Sequence, residues 1–131
     1  MKSIETEHEY SDSAPVVDLD ALDEAVDGDA EMRRAVLAMY LRQTAAALAD
    51  LKRAIDARDA GKIYEIAHRS LGGSVLCGMT AIVDSLRELE TAGREGDLRA
   101  AGAALVRASD SFAAIEKECG RITGDSTFFY A

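Results

Sequence analysis

The 131-residue sequence has no tryptophan, one proline (Pro15), two cysteines and two histidines. Each scarcity excludes something. No apolar run approaches the roughly 20 residues that a membrane-spanning helix needs. The N-terminal stretch has no apolar segment of the signal-peptide type, so a cytoplasmic protein without membrane contact is expected. Cys77 and Cys119 sit inside apolar helical patterns and read as reduced core residues, not as a disulfide or metal site. Two histidines cannot build a three-histidine metal centre. There is no glycine-rich phosphate loop, nucleophile elbow, paired-histidine motif or CxxC pair. No cofactor or metal is expected in this chain, and an autonomous enzyme with an internal acid–base site is disfavoured.

Charge of one sign is concentrated. The net charge is −9. Residues 1–29 hold ten acids and one base, while residues 30–131 balance at fourteen of each. The acidity belongs to an N-terminal arm and the body is neutral. Without a concentrated basic patch, nucleic acid is not an expected partner.

What is abundant is Ala, Leu, Glu and Arg, with no alternating β-branched run, which predicts an all-α protein. Gly and Asp clusters mark the breaks. Residues 1–16 are expected as an acidic disordered arm and 17–122 as a helical body. A short helix is predicted over 18–26, with Leu19, Leu22 and Val26 inward, and a long one over 30–58. The latter has an apolar stripe through Val36, Leu37, Tyr40, Thr44, Ala47, Leu48, Leu51 and Ile55. Further helices are predicted over 62–77, 80–93 and 98–122, with Thr80 and Asp97 as N-caps. Four substantial amphipathic helices with short connections fold most simply as an antiparallel up-down-up-down four-helix bundle with a short extra N-terminal helix at one end. Residues 123–131 place three aromatics in the last four positions. They read as a segment folded back on the bundle, as a frayed end, or as a docking peptide for another protein.

His8 lies in the acidic arm and carries no expected role. His68 differs. On a 100° wheel, Ile63, Ile66, Ala67, Ser70, Ser74 and Cys77 form the core face, and His68 falls about 140° from it. The imidazole is therefore expected in water. Two glycines follow, Gly72 and Gly73, each costing a helix roughly 0.5–1 kcal/mol relative to Ala. Gly72 clears the patch beside the imidazole, as a nucleophile needs when its substrate belongs to another protein. Gly73 points nearer the bundle and could serve close helix packing.

The stretch Ala67-His68-Arg69-Ser70-Leu71-Gly72-Gly73-Ser74, followed by Gly78-Met79, resembles the histidine-containing phosphotransfer (HPt) domains of bacterial two-component phosphorelays. His68, Gly72, Ser74 and Gly78 occupy the family's motif positions. The resemblance extends over about residues 17–120, including the Ala-Gly-Arg-Glu-Gly-Asp-Leu turn between the last two helices. Two positions depart from it: Ser70 replaces the usual Leu, its hydroxyl expected to bond back to the Ile66 carbonyl, and Leu71 replaces the usual Lys. Arg69 could supply that charge only by reaching round the helix.

The resemblance implies a phosphorelay intermediate. His68 would take a phosphoryl group from the aspartate of a receiver domain and pass it to a second receiver. The partners implied are receiver domains of a hybrid histidine kinase or of response regulators. The receiver would supply an acidic pocket and Mg²⁺, and this chain the nucleophile. Glu65 or a backbone carbonyl could fix the imidazole tautomer. Tyr64, Leu71, Val75 and Leu76 ring His68 as a candidate docking rim, with Leu48 to Lys52, Lys52 above all, as neighbours from the preceding helix. Leu71 and Val75 read equally as boundary residues. The alternative is a non-phosphorylated module that binds or sequesters receivers. A monomer is expected.

Overall fold

Aspartate opens four of the five helices seen in the computed structural model, which describes residues 15–124. The helices are α1 (Leu19–Ala25), α2 (Ala30–Asp56), α3 (Ala60–Leu76), α4 (Thr80–Glu95) and α5 (Leu98–Thr123). The carboxylates of Asp18, Asp29, Asp59 and Asp97 accept from backbone amides of the first turn of α1, α2, α3 and α5. Those amides have no partner inside the helix, and losing such a cap costs about 0.5–2 kcal/mol. Glycines in the left-handed region end α4 and α5, Gly96 at φ 72° and Gly124 at φ 73°.

The four longer helices close into an antiparallel bundle in which α2, α3, α4 and α5 each pack on the next and α5 returns to α2. Leu37, Leu51, Ile63, Ile82, Leu86, Leu89 and Ile115 are fully buried along the axis. Each such side chain contributes about 1.5–3 kcal/mol. Leu41 and Ala54 join this core from positions outside the predicted stripe of α2, and Ala104 joins it from α5. Leu22 and Val26 bury α1 against one end of the bundle, whereas Leu19, expected inward, is exposed.

Thr80 is not the cap of α4. The cap position is Met79, and no side chain serves it. The entering chain does so instead: the Ala81 amide donates to the Val16 carbonyl at 3.1 Å, and the Asp18 amide to the Gly78 carbonyl at 2.7 Å. Gly78 is required there twice over. Its φ is +76°, and a Cβ would lie 2.6 Å from the Asp18 carbonyl oxygen. Val16 is packed against the core. The acidic arm up to residue 14 and the aromatic tail from residue 125 lie outside the described residues.

Ser70 also departs from expectation. It is half-buried and lines a groove between α2 and α3 rather than bonding to Ile66. Ser74 is the hydroxyl that enters the core, fully buried and 2.8 Å from the Tyr40 hydroxyl. Pairing the two hydroxyls avoids the cost of burying either alone. Among the described residues no helix is long and apolar enough to cross a membrane.

Candidate functional site

His68 stands at the middle of α3 with its side chain 64% exposed. The imidazole leans toward α4, and its Nδ1 lies 2.5 Å from Oε2 of Glu90. The Glu90 side chain is only 15% exposed. A carboxylate accepts only, so the neutral ring donates from Nδ1, leaving the Nε2 lone pair free. Tyr64, one turn before His68, stacks on the imidazole with ring centres 5.6 Å apart and planes 13° from parallel. On the same tyrosine, the Arg94 guanidinium carbon lies 5.4 Å from the ring centre.

Gly93 makes this register possible. It lies inside α4, which runs on to Glu95 instead of ending at residue 93 as predicted. A Cβ there would come within 2.6 Å of the Tyr64 backbone nitrogen and 3.0 Å of the Ala60 carbonyl oxygen. Backbone touches backbone at this crossing, and Glu90, about one turn back on α4, is thereby set beside His68. Glu90 was not singled out from sequence, and Gly93 was read only as part of a helix break. The available signal was a glycine on the buried face of a helix, four residues beyond Leu89.

Gly72 and Gly73 behave differently. Both are exposed, and a Cβ at either would meet nothing within 4 Å. Close helix packing therefore does not account for Gly73. Beside them Val75 is 52% and Leu76 69% exposed. Leu71 is half-buried and packs against the core.

The remaining candidates scatter. Glu65 is exposed, and the Nδ1 partner is Glu90 instead. Arg69 turns to the other flank of α3, lining the α2–α3 groove with Gln43, Ala47 and Asp50. Lys52 does not reach His68: it is exposed and pairs with Asp56 on its own helix at 3.3 Å. Leu48 packs against the core. The error lay in the choice of neighbour, since α4 and not α2 faces the imidazole. Both cysteines are free. Burial pushes the Cys119 thiol up to about 12, which keeps it protonated and unreactive.

Comparisons with known proteins bear on the family and the fold. Residues 35–122 match the family model described as the Hpt domain. Among solved structures, the chain is similar to the crystal structure of histidine-containing phosphotransfer protein B (HptB) from Pseudomonas aeruginosa PAO1. The two share 25% sequence identity with a TM-score of 0.79, over 86% of this chain and 97% of that one. A search of curated proteins finds no match.

Proposed function

The chain belongs to the Hpt domain family, whose role is phosphotransfer, and from that premise we propose that it is a relay intermediate with His68 as the phosphoryl acceptor. One observation carries the reading: an exposed imidazole whose Nδ1 is held by Glu90, which leaves Nε2 as the ring nitrogen with a free lone pair. The donor is a receiver-domain aspartyl phosphate. The Nε2 lone pair attacks phosphorus, the aspartyl O–P bond breaks, and its electron pair returns to the aspartate carboxylate. The Nδ1 proton stays on the ring, where Glu90 stabilises the positive charge that develops. The same steps in reverse deliver the group to a second receiver. Positioning and charge stabilisation carry most of such a transfer, and the acidic pocket and Mg²⁺ belong to the receiver.

The receiver docks over the outer face of α3. Gly72 leaves room beside the ring, and Val75 and Leu76 offer exposed apolar surface. Apolar patches rimmed by charge are the usual form of a protein-binding face. Glu65 lies on that rim and Leu71 forms its floor, while Arg69 belongs to the opposite flank of α3. The protein acts as a cytoplasmic monomer, with its body over residues 17–122.

Transfer from a panel of phosphorylated receiver domains tests this. Label is expected on the wild type, stable in base, lost in acid, and absent from His68→Gln. Receiver binding without label on the chain would instead make this a docking module that keeps the fold without the chemistry.

A further inference from the structure

A phosphoryl group on Nε2 carries roughly two negative charges at neutral pH. The Glu90 carboxylate, 2.5 Å from Nδ1, adds another behind the ring. The site therefore needs a cation, and α3 presents none on this side. Its outer positions around His68 are Glu65, Gly72 and Val75, and Leu71 packs inward. Arg69 lines the opposite groove beside Asp50.

We propose that Arg94 is the cation that holds the phosphoryl group on His68, its guanidinium parked on the Tyr64 ring until that group arrives. This rests on His68 being the acceptor. Arg94 is one turn beyond Glu90 on α4. Its contact with Tyr64, and the stacking of Tyr64 on His68, bound the separation between guanidinium and imidazole at about 11 Å. Reorientation of one long side chain closes that gap. Arg33, Arg53, Arg107 and Arg121 each pair with a carboxylate. Among the described residues, Arg94 pairs with none and rests on an aromatic face. A cation on the face of a half-buried tyrosine is held more weakly than one bonded to a phosphoryl dianion. The arriving phosphoryl group therefore takes the guanidinium from the ring, and the planar fork of arginine fits two of its oxygens.

The test uses phosphoramidate as a small-molecule donor, so receiver docking plays no part. Wild type, Arg94→Ala, Arg94→Lys and His68→Gln are labelled, freed of donor, and followed by ³¹P NMR titration and by loss of label at neutral pH. In Arg94→Ala the phosphoryl titration midpoint is expected to rise by about half a unit to one unit, because the cation favouring the dianion is gone. Its label should be lost roughly ten-fold faster, with Arg94→Lys in between. Should Arg94→Ala melt early, Arg94→Gln keeps the side-chain length without the charge and takes its place. An unchanged midpoint and lifetime on a labelled His68 would overturn the role of Arg94 alone. No label on the wild type, or label retained by His68→Gln, would overturn the acceptor assignment and this inference with it.

Discussion

Glu90 stands 22 residues from His68 in sequence and bonds to its ring. The exposure of His68 was legible because it depends on one helix, and a wheel describes one helix well. Glu90 was not, because its place depends on the register between two helices. Glu65, nearer in sequence, was the wrong choice for that reason. As a positioning residue, Glu90 has separable effects. Glu90→Gln keeps an oxygen that accepts from Nδ1, so transfer is expected to continue at a reduced rate. Glu90→Leu removes the acceptor, and a fall of roughly 10–100-fold in single-turnover transfer is expected, the range seen when an orienting partner is lost. Imidazole ¹⁵N shifts provide the readout that packing alone would not move. The Nδ1–H form should dominate in the wild type and lose its preference in Glu90→Leu. Wild-type rate and tautomer in Glu90→Leu would remove the residue from the mechanism.

Helix breaks and apolar faces were readable along the chain, because Asp caps and the three-and-four spacing are local signals. The start of α4 at Thr80 was readable too, but its cap was not, since its free amide is satisfied by Val16, a residue from the far end of the sequence. The glycines show the same divide. All of α3 is helical through Gly72 and Gly73, and both are open to solvent. Gly93 lies against the backbone of Tyr64. Alanine should therefore act with opposite sign on the two helices. Gly72→Ala is expected to raise stability by about 0.5–1 kcal/mol through helix propensity. Gly93→Ala must push α4 from α3 and should lower it by about 1–3 kcal/mol, while drawing Glu90 away from His68. Urea midpoints measure both. At Gly72 a larger side chain separates fold from function: Gly72→Leu should unfold like the wild type and accept phosphate from phosphoramidate, yet take little from a receiver. Normal receiver-dependent transfer in that variant would show that the cleared space has no docking role.

At the scale of the whole molecule, the bundle follows from helix count and short connections, which leave sequential helices antiparallel. Which helix faces the site was harder to foresee. Both α2 and α4 flank α3, and only the tight crossing at Gly93 brings α4 to the imidazole. The bundle is also closed by its entering segment. Val17 and Leu22 are buried, the Asp18 side chain caps α1, and backbone bonds at Val16 and Asp18 tie that segment to the α3–α4 turn. Removal of residues 1–14 spares all of these contacts and should leave one cooperative urea transition at an unchanged midpoint. Removal of residues 1–18 takes the burial of Val17, both backbone bonds and the cap together. A loss of about 2–5 kcal/mol is expected from those parts. The loss should fall on global stability and not on a fraying end, because the exposed turn carries Gly78 and Met79, the latter fully buried beneath α4. Equal stability of the two truncations would mean that the bundle stands without its entering segment, and that Gly78 keeps its left-handed turn for a reason other than the close passage of Asp18.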